Sequence, residues 1–240
     1  MKTMPPSCLT LSNLTVRYGS NIVLKNISGN FEKGSLTAIV GPNGGGKTTL
    51  LKTFMGFTPS SKGTFINASH KTAYLPQRSE IDLHFPLTVE QVVSFGLWPK
   101  IGSTRALRPE HIHQITSALN DVGMSSYKKA YIHTLSGGQL QRILFARLIL
   151  QDADLILLDE PFTAIDSKTT HDLMEIVKKW HQEDRTIVAV LHDIELVKYH
   201  FPQTLLLSTE IMGWGETKTT LTAETLQKIH VCAHSFTFNE

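Results

Sequence analysis

The segment Gly41-Pro42-Asn43-Gly44-Gly45-Gly46-Lys47-Thr48 constrains this chain more than any other stretch of it. It fits the pattern G-x-x-x-x-G-K-[ST]. It follows at once on Leu36-Thr37-Ala38-Ile39-Val40, a short apolar run suited to a strand buried on both faces. A helical segment then runs through Met55 and stops at Gly56. Strand, glycine turn and helix in that order make a phosphate cradle. The glycines let the backbone wind so that successive N–H groups point inward, and the helix N-terminus adds partial positive charge. Lys47 places a cation at the β- and γ-phosphates of a nucleotide, and the Thr48 hydroxyl can ligand Mg²⁺. The bland alternative, an ordinary glycine turn before a helix, does not account for Lys-Thr standing in register.

Strand-length apolar runs recur at 155–158, 186–191 and 204–207, with a helical stretch at 168–182 after the first. Strands alternating with helices predict an α/β fold, a mostly parallel sheet covered on both faces. Upstream, 9–11 and 14–16 alternate apolar and polar residues, and a turn at 18–21 leads into a second extended segment, 22–31, an N-terminal antiparallel β region. The stretch 78–150 differs in character. Ile112, Ile115, Leu119 and Val122 recur at helical spacing after Pro109, and 139–150 also reads as helix. This predicts a helical insertion, about 78–150, in a core formed by about 1–77 and 151–240, all one domain; 240 residues suit that size.

Composition removes several classes of function. No apolar stretch approaches the roughly 18–20 residues of a membrane-spanning helix. No apolar segment follows Lys2, so a secretory signal is not expected and a cytosolic chain is. If it works at a membrane, another chain provides the membrane part. A formal net charge of +2 leaves no electrostatic footprint for nucleic acid, and Arg105 to Arg108 is too sparse for a polybasic membrane segment. Two cysteines, Cys8 and Cys232, make no disulfide framework.

Two further elements carry chemistry. Leu155-Ile156-Leu157-Leu158-Asp159-Glu160 is an apolar strand ending in adjacent carboxylates, and ligands of open α/β sheets bind at the carboxyl ends of strands. There Asp159 would hold Mg²⁺, usually through water, and Glu160 would orient or deprotonate an attacking water. Leu135-Ser136-Gly137-Gly138-Gln139 precedes an amphipathic helix. A serine hydroxyl, glycine N–H groups and a helix N-terminus make a second anion site there.

With Tyr18, Gln77, Asp166 and His192, these segments make the chain resemble the ATPase subunits of ABC (ATP-binding cassette) transporters. The resemblance spans roughly 9–207, with the motifs in the family's order. It implies that two copies pair head to tail around two ATP molecules with Mg²⁺. Tyr18 would stack on adenine, and the loop from Gly41 to Thr49 would wrap the phosphates. Lys47, Gln77, Glu160 and His192 would be the catalytic set, with Thr48, Gln77 and Asp159 at Mg²⁺. Gln77 would also relay motion to a membrane partner. Ser136, Gly137, Gly138 and Gln139 would reach the nucleotide of the other copy, and Asp166 would bridge the interface. Departures are small: Thr163-Ala164-Ile165-Asp166 replaces Ser-Ala-Leu-Asp, and Gly45 and Thr48 stand where Ala and Ser are frequent. None removes a functional group.

The stretch 75–89, with Pro76-Gln77-Arg78, an acid, Phe85-Pro86 and Thr88-Val89, resembles the cassettes of zinc and manganese importers. That implies a homodimer on ATP binding, integral-membrane permease subunits, and indirectly an extracytoplasmic solute-binding protein. The chain would sit peripherally on the cytoplasmic face of the inner membrane. An importer of chelated iron or cobalamin, an exporter, and a soluble non-transport switch are the alternatives. His230, Cys232 and His234 would share one face if extended, a set suited to zinc; incidental polar residues near the C-terminus are the plainer reading. His111 and His113 read as surface residues of a helix.

Overall fold

In the structure, a computed structural model describing residues 6–227, the apolar run before the glycine loop is strand β3 (Leu36–Val40), buried along its whole length. The strands β6 (Leu155–Asp159) and β7 (Thr186–Val190) are likewise buried throughout. They lie in a six-stranded sheet of order β5-β6-β7-β3-β8-β9. Its remaining members are β5 (Thr72–Leu75), β8 (Gln203–Ser208) and β9 (Glu210–Glu216). All are parallel except β9, which runs antiparallel to β8. The unbroken apolar sequence of β6 follows from having a core on each face: Leu155 and Leu157 belong to one, Ile156 and Leu158 to the other.

The N-terminal region is a separate three-stranded antiparallel sheet of order β2-β1-β4, from β1 (Ser7–Tyr18), β2 (Asn21–Glu32) and β4 (Lys62–Asn67). The turn expected at 18–21 closes its hairpin, with Tyr18 opposite Asn21. Leu9, Leu14, Val16, Leu24 and Ile27 on its inner face meet Leu50, Leu51 and Phe54 of α1 (Lys47–Phe54) and the six-stranded sheet. Each such fully buried side chain stabilises the fold by roughly 1.5–3 kcal/mol relative to leaving it exposed. The helix that opens on Lys47 is therefore clamped between two sheets.

The regular elements between Gln77 and β6 are helical: α2 (Val89–Ser94), α3 (Trp98–Ile101), α4 (Pro109–Asp121) and α5 (Gly137–Gln151), with short 3₁₀ turns. The expected helical insertion is thus present. Its buried stripe is narrower than the spacing suggested, because Ile115 and Leu119 of α4 are buried while Ile112 is exposed. His111 does more than face solvent: its Nδ1 accepts from the Arg108 backbone N–H at 3.1 Å and caps α4. The helices α6 (Ser167–Gln182), α7 (Ile194–His200) and α8 (Thr217–Thr220) complete the described chain's main helical elements. Among the described residues no helix is long and apolar enough to cross a membrane. His230, Cys232 and His234 lie outside the described residues.

Candidate active site

Parallel pairing lines up four strand ends. Leu75 of β5 pairs with Leu158, Asp159 of β6 with Val190, and Val190 with Ile39 of β3. The residues just beyond those ends therefore emerge in a row: Gln77, then Asp159 and Glu160, then His192, then the glycine loop. This is the rim where ligands bind in open α/β sheets. A cleft of about 750 Å³ opens there. Residues 43–49 line it together with Gln77, Glu160 and His192, and Tyr18, Asn21 and Val23 from the β1–β2 hairpin close one side.

The loop is shaped by what surrounds it. Gly46, immediately before α1, has φ 90°, a conformation that disfavours any side chain. At Gly41 a Cβ would overlap the Leu207 carbonyl oxygen of β8, so the backbones approach too closely for anything but glycine. The Gly45 carbonyl accepts from the Thr209 N–H at 3.0 Å. Gly41 and Pro42 do not line the cleft; their carbonyls hold Lys47 Nζ at 3.0 and 2.8 Å. Lys47 is 6 % exposed, and burial pushes its ammonium below the ordinary value against the opposite pull of Glu160 and Asp159. Helix α1 has neither an acidic residue in its first turn nor a side-chain cap. A buried cation held by neutral carbonyls beside an uncapped helix N-terminus is complementary to a polyphosphate.

Oxygen donors gather next to it. Thr48 Oγ1 donates to Asp159 Oδ1 at 3.2 Å, and Gln77 Nε2 donates to Thr48 Oγ1 at 3.1 Å. Hydroxyl and carboxylate oxygens suit a hard cation such as Mg²⁺. Burial raises the Asp159 carboxyl above the usual range, and Glu160 adds to this; hydrogen bonds from Thr48, Tyr74 and Gln77 oppose it. Glu160 sits at φ 50°, in the left-handed region. Such strain is of order 1–3 kcal/mol and concentrates at functional sites. Its Oε1 accepts from Gln77 Nε2 at 2.9 Å and lies 2.7 Å from His192 Nε2, and its Oε2 accepts from Thr163 Oγ1 at 3.2 Å. Since an ionised carboxylate only accepts, the proton of that pair belongs on His192 Nε2.

The remaining expected residues are placed apart from this cleft or at its edge. Tyr18 is 52 % exposed, its hydroxyl sharing a hydrogen bond with Thr58 Oγ1 at 3.2 Å. Ser136 caps α5: its Oγ accepts from Gln139 N at 3.3 Å while Gln139 Oε1 accepts from Ser136 N at 2.9 Å. Ser136, Gly137, Gly138 and Gln139 do not line the cleft. Asp166 caps α6, accepting from Thr169 N at 2.9 Å and Thr169 Oγ1 at 2.8 Å, and that backbone hydrogen bond holds its carboxyl below the usual range.

Some residues of the site were not evident from the sequence. Tyr74 donates its hydroxyl to Asp159 Oδ2 at 3.3 Å, and Thr163, Asn21 and Val23 also border the reacting region. Tyr74 lies in a strand of only four residues, between the buried Ala73 and Leu75, so only recognising β5 as a strand could have pointed to it.

The ABC transporter family model matches residues 24–163. The manganese transport system ATP-binding protein MntB of Listeria monocytogenes is 38% identical over 226 residues, covering 91% of this chain and 94% of that protein. The zinc transport system ATP-binding protein TroB of Treponema pallidum is 34% identical, covering 92% of this chain and 85% of that one. An ABC transporter solved in an inward-facing conformation superposes with a TM-score of 0.85 at 28% identity, over 94% of this chain and 89% of that one. MJ0796, a bacterial ABC transporter cassette solved as a dimer, superposes with a TM-score of 0.76 at 26% identity, over 87% and 98%. A phosphate cradle and an oxygen-lined rim could serve several nucleotide-using folds, but these matches run through nearly the whole chain, and the protein belongs to the ABC transporter family as an ATP-binding, ATP-hydrolysing cassette.

Proposed function

We propose that this chain drives uptake of a divalent metal ion, zinc or manganese, by hydrolysing ATP beneath a separate permease. The observation that carries the catalytic part is Glu160, held on one oxygen by both Gln77 and His192, beside the Thr48–Asp159 oxygen pair. Glu160 takes the proton of the attacking water, and Gln77 and His192 fix the carboxylate that receives it. Lys47 and the N–H groups of the loop neutralise phosphate charge, and Tyr18 stacks on the base. Mg²⁺ held at Thr48, Asp159 and Gln77 supplies charge neutralisation at the phosphate oxygens.

The anion site at Ser136, Gly137, Gly138 and Gln139 lies outside the chain's own cleft, which supports its use by the nucleotide of a second copy, with Asp166 near the shared face. ATP then closes a head-to-tail dimer because each nucleotide touches both copies, and hydrolysis removes those contacts. The working organisation is one domain, a core of about 1–77 and 151–240 and a helical part of about 78–150. It acts peripherally at the cytoplasmic face of the membrane with integral-membrane permease subunits and, indirectly, an extracytoplasmic binding protein. Support for the cargo comes from the manganese and zinc transport proteins named above and from the stretch 75–89, which contains Gln77.

Uptake of zinc and manganese by cells lacking the gene tests the cargo. Reduced uptake of either, restored by the parent gene and not by a Lys47→Ala form, is the expected result. Unchanged uptake of both rejects metal import.

A further inference from the structure

Arg147 stands in the C-terminal half of α5, the helix that begins with the Ser136–Gln139 cap. Its Nη2 donates to the backbone carbonyl of Tyr74 at 2.9 Å, and its Nε is buried with no hydrogen-bond partner. No ion pair joins Arg147 to a carboxylate among the described residues, and burial draws its guanidinium below the ordinary value. Holding down the edge strand β5 needs only a neutral donor, whereas a desolvated cation with an idle donor opposes folding. The retained guanidinium calls for another role, and the chain around Tyr74 indicates which. The Tyr74 side chain touches Asp159, and Gln77, three residues further on past Pro76, touches Thr48 and Glu160. On its other side, α5 is locked to the preceding part of the helical insertion: a Cβ on Gly96 would overlap the Arg147 carbonyl oxygen. Arg147 is thus the place where the helix carrying the second anion site grips the strand that leads into Gln77.

We propose that Arg147 is a positioning residue, which through the Tyr74 carbonyl sets where Gln77 stands over Glu160 and Thr48 according to the position of α5. A phosphate received at the α5 N-terminus then acts on Gln77 in the same chain, since Pro76 leaves little slack between Tyr74 and Gln77. This inference rests on the proposed role of Gln77 and Glu160 in ATP hydrolysis.

The test uses the full chain as parent, Arg147→Lys, Arg147→Gln, Gln77→Ala, and Arg147→Gln and Arg147→Lys each combined with Gln77→Ala. Four quantities are read: Kd for ATP by equilibrium binding, kcat and KM for Mg²⁺-dependent hydrolysis, and Tm. The expected result is a kcat about ten- to a hundredfold lower in both single Arg147 variants, with ATP Kd changed by no more than about twofold. On the Gln77→Ala background, the same Arg147 changes should lower kcat by less than about twofold, because the group they position is already gone. Losses that multiply on that background overturn the inference. So does a Lys variant with parental kcat, or a loss that vanishes once each variant is assayed well below its own Tm. If Arg147→Gln does not fold, the Lys pair decides by the same comparison. A parent chain that binds ATP but never hydrolyses it removes the ATPase reading and this inference with it, whereas a hydrolysing parent with multiplying losses removes only the role of Arg147.

Discussion

The side-chain amide of Gln77 donates to Oε1 of Glu160 across 2.9 Å, joining the segment after edge strand β5 to the end of its neighbour β6. This contact makes the carboxylate a member of a set rather than an isolated acid. His192 approaches the same oxygen from beyond β7, and Thr163 donates to the other. The strain at Glu160 is tolerated because partners from three elements over-determine the position of its side chain.

Replacing Glu160 by Gln keeps the size of the side chain and removes its ability to take a proton. Hydrolysis should fall by roughly 10²–10⁴-fold while ATP binding stays within about threefold of the parent. The variant should accumulate as a dimer with ATP on size-exclusion chromatography. Turnover at the parent's rate would show that Glu160 is not the base.

Tyr74→Phe deletes only the hydroxyl that holds Asp159 Oδ2. Groups that orient metal-binding carboxylates typically contribute about 10–100-fold in metal affinity. Half-maximal hydrolysis should therefore need at least about tenfold more Mg²⁺, with unchanged ATP binding in the absence of Mg²⁺. Burial pushes the Tyr74 hydroxyl far above its ordinary value, so it stays a donor and the effect should not vary between pH 6 and 9. A Mg²⁺ titration of both proteins at several pH values decides the matter.

Asp159→Asn should stabilise the nucleotide-free chain while abolishing hydrolysis. Because burial raises the Asp159 carboxyl, the folded chain binds this proton more tightly than the unfolded chain does. The resulting stability is present at low pH and is lost as pH rises from the unfolded value through the raised one, so at neutral pH ionised Asp159 opposes folding. The Asn variant should melt higher than the parent at pH 7. The gap should close as pH falls toward 4 in thermal melts without ATP. A variant that melts lower at pH 7 would contradict the assignment.

Gly41→Ala sets a methyl group against the Leu207 carbonyl oxygen, a backbone atom that cannot turn aside. Overpacking of this kind costs about 1–3 kcal/mol, and here the shift lands on the carbonyls that hold Lys47. Both Tm and ATP affinity should drop, measured by melting and by equilibrium binding. A binding constant equal to the parent's would mean that the loop relaxes freely.

Much of the site could be read directly from the sequence because its chemistry is local. The glycine loop declares itself through backbone conformations that only glycine adopts freely, next to a strand whose unbroken apolar sequence reports burial on both faces. Asp159 and Glu160 were legible for the same reason, at the end of such a run, whereas His192 was named only through the resemblance to the ABC cassettes. The helical insertion showed in the spacing of α4, although Ile112 proved exposed because only one side of that helix packs on α5.

The tertiary structure decided what depends on partners distant in the chain. Strands β4 and β5 are short or carry polar residues at alternate positions, and their pairing comes from β1 and β6, far along the sequence. Placing β5 at the edge beside β6 is what brings Gln77 to Glu160, Tyr74 to Asp159 and Arg147 to Tyr74. Sequence alone established which groups the chain has for phosphate chemistry, because stereochemistry and apolar patterning act over a few residues. Which of those groups touch was settled by strand order and packing, interactions between residues as much as 111 positions apart that no local pattern encodes.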